Sequence, residues 1–299
     1  MKKTTFIYAG DAEPDKFKEQ DGYRAWRSLI CKAYAMAYGR SSDDPSFKEK
    51  EGLLVLGGDL IRRSRKENRW DAFFVPAGDI LKNTSVIAAI GNHDCRNGIE
   101  YLDRFDLPEN GPAGFEKRFY SCDYGSCHFA VLDTNVMWDN SEYPDPRTGI
   151  PNKDNPNYKA PDIAPVPLVQ DWLVKDFAAA GTRPIFVVMH HPMFSPGISI
   201  EDGERAAFMR EHFLPVMKAH NVKMILCGHQ HFYCRTDPDK TGIIQLMGVS
   251  GNKLFKGKDI TGMACVRELT PAATAITVNE EGDISLKTID PEGNIIDEM

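Results

Sequence analysis

Five short turns in the chain carry side chains able to bind metal: Asp11 in AGDAE, Asp59 in LGGDL, Asn92, His93 and Asp94 in IGNHD, His190 and His191 in VMHHP, and His229 and His231 in CGHQH. Five of the eight histidines fall in these turns. Carboxylate oxygens, one carboxamide oxygen and imidazole nitrogens, with no cysteine among them, form a mixed hard and borderline donor set that suits manganese, iron or zinc. The donors outnumber one tetrahedral site. They point to two ions sharing a carboxylate, roughly 3.5 to 4 Å apart, the arrangement of metal-assisted phosphate ester hydrolysis.

Each turn ends an apolar run. TTFIYAG, GLLVLGG, SVIAAIG, PIFVVMH and VKMILCG read as strands, while DGYRAWRSLICKAYAMAYG, PLVQDWLVKDFAA and GERAAFMREHFLPVMKAH carry apolar residues at three- and four-residue spacings and predict helices. Alternating strands and helices make an α/β protein, in which ligands collect at the carboxyl ends of parallel strands. RFYSCDYGSCHFAVLDTN and the C-terminal stretches GIIQLMGVSG, ACVREL, ATAITVN and DISLKTI predict a second set of strands. No repeat or Gly/Ser linker divides the chain, so one domain is expected over 1–299. The stretch 135–167, rich in Pro, Asn and Asp, predicts a long loop and a candidate lid.

The 299 residues, 42% hydrophobic and 26% charged, exclude a largely disordered or collagen-like chain. No apolar run approaches the roughly 18 residues that cross a bilayer. With 43 acidic against 36 basic side chains and no basic cluster, the balance argues against binding to nucleic acid backbones. The expected partner is a small phosphorylated molecule, with neither nucleic acid nor membrane. Seven cysteines without a C-x-x-C pair fit reduced thiols, and the start MKKTTFIYAG lacks a signal-peptide core, so a cytoplasmic location is expected.

Each residue also has a plainer reading. An Asp after a strand ordinarily caps a turn or helix, but five such strand ends together are poorly explained that way. Asp79 in PAGDI follows a glycine yet lies in helical composition, and is left out. His191 is assigned outside the ligand set because neighbours on an extended chain point to opposite faces. His128 reads as a satisfied structural histidine, His212 and His220 as helix residues, and Tyr23, Trp26 and Tyr34 as packing on the sheet.

The motifs GD, GGD, GNHD, VMHHP and GHQH, in that order, resemble those of the calcineurin-like metallophosphoesterases, most closely the purple-acid-phosphatase-like branch. The likeness extends through WDAFF, YSCDYGSCHFAVLDTN, QDWLVKDF and FYCRT, over about residues 4 to 290. It implies a four-layer α/β/β/α sandwich of two mixed sheets flanked by helices. It further implies that Asp11 and His231 bind a first metal, Asp59 bridges, and Asn92, His190 and His229 bind a second. His93 would bond the phosphate or protonate the leaving oxygen, with Asp94 orienting it.

Two positions depart from the family. Where many members read Asp-x-His, this chain has Glu13, which either serves as a first-metal ligand or points away. Where true purple acid phosphatases place an iron-binding tyrosine, it has Arg62, so ferric-tyrosinate chemistry is not expected. Arg62, Arg63 and above all Arg96 are candidate phosphate grips. The implied activity is dinuclear-metal hydrolysis of phosphoric esters, first of phosphomonoesters. The alternatives are a phosphodiesterase for small or cyclic nucleotides and a non-catalytic metal-binding protein.

Overall fold

Runs such as Leu53–Leu56 and Ile185–Met189 are apolar on both faces and buried along their whole length, as interior strands of a covered sheet must be. The computed structural model describes residues 2–15, 19–40, 52–64, 66–94, 99–143, 151–154, 162–195, 200–257 and 260–299. One six-stranded sheet is formed by β1 (Thr4–Ala9), β2 (Gly52–Leu56), β3 (Thr84–Ala88), β11 (Ala273–Val278), β12 (Ile284–Ile289) and β13 (Ile295–Glu298), in the order β13-β12-β11-β1-β2-β3. β1, β2 and β3 run parallel, and β11 joins β1 antiparallel.

The second sheet has seven strands: β4 (Tyr120–Tyr124), β5 (Cys127–Leu132), β6 (Ile185–Met189), β7 (Val222–Cys227), β8 (Tyr233–Thr236), β9 (Ile244–Met247) and β10 (Met263–Arg267). Their order is β10-β8-β9-β7-β6-β5-β4. β5, β6, β7 and β9 are parallel, and the outer pairings β4–β5, β9–β8 and β8–β10 are antiparallel. The helices are α1 (Glu19–Tyr38), α2 (Glu67–Asn83), the short α3 (Ile99–Leu102), α4 (Val166–Ala180), α5 (Ile200–His212), α6 (Leu214–Ala219) and the short α7 (Pro238–Thr241).

Side-chain alternation sets the layers. Phe129 and Phe186 point from β5 and β6 onto Phe6 of β1, with ring centroids 5.0 to 5.4 Å apart, and fill the space between the sheets. Their neighbours Ala130, Leu132, Val187 and Met189 face the other way and pack with Val169, Leu173 and Phe177 of α4 and Met217 of α6. On the first sheet, α1 packs against β1 and β11 and clasps α2 through Tyr23, Trp26 and Phe73. The order is helices, sheet, sheet, helices. This is the four-layer α/β/β/α sandwich expected.

Two details differ from the sequence reading. The run 203–220 is two helices, because Pro215 in the first turn of α6 cannot continue α5. The loop expected over 135–167 ends at Pro165, since α4 starts at Val166, and its residues 144–150 and 155–161 lie outside the described residues. Asp79 sits on α2, exposed and facing Arg27, away from the motif turns. No helix among the described residues is long and apolar enough to cross a membrane.

The five motif turns leave strands of both sheets. Asp11, Asp59 and Asn92 follow β1, β2 and β3, whereas His190 and His229 follow β6 and β7. The carboxyl ends of the two parallel sets meet at one rim.

Candidate metal centre

Close packing of these turns explains the glycine ahead of Asp11, Asp59, Asn92 and His229. A methyl group on Gly91 would overlap the amide and carboxylate of Asp59, and one on Gly228 would overlap the Asp11 carboxylate. The motif residues themselves adopt left-handed backbone: φ is 33° at Asp11, 51° at Asp59, 79° at His229 and 58° at His231. Such conformations cost about 1 to 3 kcal/mol each in non-glycine residues and cluster at functional sites.

The turns bring Asp11, Glu13, Asp59, Asn92, His93, His190, His229 and His231 into one cluster. Asp11, Glu13, Asp59, His190 and His231 are buried, while Asn92, His93 and His229 are half-buried and form the open side. Each motif histidine other than His191 has one ring nitrogen held by a fixed oxygen acceptor. His190 Nδ1 bonds the Gly57 carbonyl at 2.9 Å, His231 Nδ1 the Lys253 carbonyl at 2.7 Å, His93 Nδ1 the Arg62 carbonyl at 3.2 Å and His229 Nε2 the Asp202 carboxylate at 2.8 Å. Such oxygens only accept, so the bonded nitrogen carries the hydrogen, and the opposite nitrogen of a neutral ring offers a lone pair.

Those opposite nitrogens converge. His190 Nε2 lies 3.0 Å from Asn92 Oδ1 and 3.3 Å from Asp59 Oδ2, and His229 Nδ1 lies 3.0 Å from the same Asn92 oxygen. His231 Nε2 lies 3.6 Å from both Asp11 Oδ1 and Glu13 Oε1. His93 Nε2 stands 3.9 Å from Glu13 Oε1 and 4.0 Å from Asp59 Oδ2.

The carboxylates complete the pattern. Asp59 Oδ1 accepts the His93 backbone N–H at 2.8 Å and Asp11 Oδ2 that of His229 at 2.6 Å. Their other oxygens, and Glu13 Oε2, are buried and accept no hydrogen bond from the described residues. Unpartnered buried carboxylate oxygens are costly, and a cation between them removes the cost. This donor set could hold two ions, with Asp11, Glu13, Asp59 and His231 on one side and Asp59, Asn92, His190 and His229 on the other.

The local field agrees. Burial lifts Asp11 well above the usual carboxylate range, with Asp59 and Glu13 adding to it. Burial and the Asp59 charge push Glu13 up to about 7. Burial also works to raise Asp59, but His190 and His93 outweigh it and hold that group well below its ordinary value. His190 rises to about 10 against its own burial, mainly because Asp59 adjoins it. This is strongly negative potential enclosed by protein.

Asp94 has a different role from the one expected. Its oxygens accept the backbone N–H groups of Leu60, Ile61 and Gly91 at 2.8, 3.1 and 3.0 Å, tying the second motif turn to the third. Orientation of the His93 ring through Nδ1 belongs to the Arg62 carbonyl. The Arg62 side chain is half-buried, with a charge that acts on Glu13, and Arg63 is exposed. Arg96 and Cys95 lie outside the described residues.

Three residues at the cluster, Lys253, Phe255 and Asp202, were not singled out in the sequence, and a fourth, His191, was placed outside the ligand set. His191 is buried with its ring 4.3 Å from that of His229, and Nδ1 shares a 2.7 Å hydrogen bond with Thr134 Oγ1. Strand alternation does not apply to it because β6 ends at Met189. His190, His191 and His229 form one group whose donor atoms lie within 4.8 Å of one another. Asp11, Asp59 and His190 form a second, and Glu13, Asp59 and His93 a third. The Lys253 ammonium pairs with Glu13, and Phe255 lies against His231 at 5.0 Å. Asp202, on α5, is the remaining one.

A family model for calcineurin-like phosphoesterases matches residues 29–233, well over half of the chain. The chain belongs to this family. The match takes in every motif except the one at Asp11, and membership implies a dinuclear metal centre. Among curated relatives, an acid phosphatase of Aspergillus ficuum is 27% identical over 212 residues, 61% of this chain and 34% of that protein. The "Probable inactive purple acid phosphatase 9" of Arabidopsis thaliana is 25% identical over 200 residues, 56% of this chain and 27% of that protein. The chain thus spans about a third or less of the curated relatives it matches.

Solved structures share the fold. The purple acid phosphatase PPD1 from yellow lupin (Lupinus luteus) seeds superposes with a TM-score of 0.68 at 16% identity, over 99% of this chain and 53% of that one. GAP50, the anchor in the inner membrane complex of Plasmodium, gives 0.63 at 14% identity, over 100% and 88%.

Proposed function

We propose that this chain hydrolyses phosphoric esters, phosphomonoesters first, at a dinuclear centre built from Asp11, Glu13, Asp59, Asn92, His190, His229 and His231. The observation that carries this reading is the enclosure of three unpartnered carboxylate oxygens, on Asp11, Glu13 and Asp59, by imidazoles whose far nitrogens are tied down. Manganese, iron or zinc ions bound there supply positive charge for the phosphoryl oxygens and acidity for an attacking water.

The chain's own groups do the rest. Asp59, with one oxygen fixed on the His93 amide, presents the other between the two donor sets. His93, held at Nδ1, keeps Nε2 at the open side of the cluster, where the protonated ring can donate to a phosphoryl oxygen or hand its Nε2 proton to the departing alkoxide. Lys253 balances Glu13, and partly exposed Phe255 borders the mouth on the His231 side. A small phosphorylated molecule is the substrate this opening suits, and the net acidity of the chain disfavours nucleic acid.

Metal analysis of the purified protein, followed by turnover of para-nitrophenyl phosphate and bis-para-nitrophenyl phosphate with added manganese or zinc, tests the reading. Two bound ions and faster monoester turnover are expected. Faster diester turnover would make the chain a phosphodiesterase, and bound ions without turnover of either ester would make it a non-catalytic metal protein.

A further inference from the structure

α5 enters the site through a single carboxylate. Asp202 lies in the first turn of that helix, where an acidic residue ordinarily needs no partner beyond the helix N-terminus and solvent. Here it is buried, with Oδ1 2.8 Å from His229 Nε2. The nearby Arg205 does not account for this placement. Its guanidinium takes Glu201 at 2.7 Å and stands 3.9 Å from Asp202, farther than the imidazole of His229 at 2.8 Å.

We propose that Asp202 is a positioning residue for the second metal site: it accepts the Nε2–H of His229 and thereby turns the Nδ1 lone pair toward Asn92 and His190. His229 needs such a partner more than His190 or His231 does. Those two rings are buried and hang from backbone carbonyls of Gly57 and Lys253, whereas His229 is half-buried and makes its anchoring bond to another side chain. A carboxylate in this place fixes the tautomer and raises the basicity of the metal-facing nitrogen.

The support is itself held in place. Arg205 stacks over Trp138 at 5.1 Å, Asn140 Nδ2 donates to Glu201 at 3.3 Å, and Tyr143 bonds Glu204. Residues 138–143, at the start of the loop expected to act as a lid, therefore contact the helix that carries Asp202. Docking of residues 138–143 and orientation of His229 share one element.

The inference rests on the metal-centre reading, and its test separates the two. Metal-free wild type, D202A and D202N are titrated with Zn²⁺ alone by calorimetry, with metal-free melting temperature as the folding control. Wild type is expected to take up two ions. D202A should bind the second about 10- to 100-fold more weakly, with the first site and the metal-free melting temperature unchanged. D202N, which keeps an acceptor of the same shape without the charge, should fall between them. Nitrogen-15 histidine spectra of the zinc-loaded protein should show His229 protonated at Nε2 in wild type and a loss of that signal in D202A. Wild-type second-site affinity in D202A overturns the inference alone, and wild type that takes up no zinc overturns it together with the metal centre. If D202A does not fold, D202N decides: several-fold weaker second-site binding upholds the assignment, and unchanged binding removes it.

Discussion

Asp59 Oδ2 and His190 Nε2 lie 3.3 Å apart although their residues leave strands of different sheets, β2 of the six-stranded sheet and β6 of the seven-stranded one. Among the described residues, Asp59 is the one carboxylate that belongs to two of the three donor groups, one with Asp11 and one with Glu13. Replacing it with asparagine leaves the shape and removes the shared charge. Asp59→Asn should lower bound metal from two ions to one or none and turnover by several orders of magnitude. Two ions by elemental analysis, or wild-type rates with metal supplied, would end its assignment as the bridge.

His93 lies beside the cluster and reaches it at 3.9 to 4.0 Å. His93→Ala should therefore keep both ions while kcat falls about 10²- to 10⁴-fold, the range for loss of a general acid or base. Elemental analysis beside steady-state kinetics checks this. Loss of an ion together with the rate would make His93 a ligand.

Glu13 points inward, buried, with Oε2 unpartnered and Oε1 facing His231 and Lys253. Glu13→Gln should weaken the first site roughly tenfold or more, on the scale of a lost charge-assisted contact, and leave the second site near its wild-type affinity. Zinc calorimetry measures both. Equal first-site affinity would make Glu13 a partner for Lys253 alone.

Far from the centre, His128 on β5 is clamped between Asp123 at 2.7 Å and Asp176 of α4 at 2.9 Å, so both ring nitrogens donate and the ring is charged. Burial alone would lower its pKa, but hydrogen bonds and charges from Asp176 and Asp123 raise it. A folded pKa raised above the unfolded value of about 6.5 stabilises the fold fully below that pH, and the gain is lost as pH rises through the folded value. The melting temperature of wild type should exceed that of His128→Gln most at pH 6, with the gap closing at higher pH. A gap constant with pH would rule the clamp out.

Much of the centre was legible because its residues stand at the ends of apolar runs, four of the five preceded by a glycine where a side chain would overlap its neighbours, as at Gly91 and Gly228. The four layers followed from the family likeness and are present. The division of the five motif strands between two sheets could not be read, since Leu53–Leu56 and Ile185–Met189 are buried on both faces and their patterns are alike. Asp202 was hidden because an acidic residue in the first helical turn looks like helix-end chemistry, and its partner is 27 residues away. The family likeness implied that Asp94 orients the His93 ring, whereas its oxygens turn back to the amides of Leu60, Ile61 and Gly91.

The aromatic slab of Phe6, Phe129 and Phe186 sets how far apart the two sheets stand. Since each ion would take donors from both sheets, that slab also governs the span its ligands must bridge. Ion affinity then becomes a gauge of interior thickness. Apolar side chains that never approach an ion can tune it, and a lineage could adjust its metal preference without altering any of the five motifs.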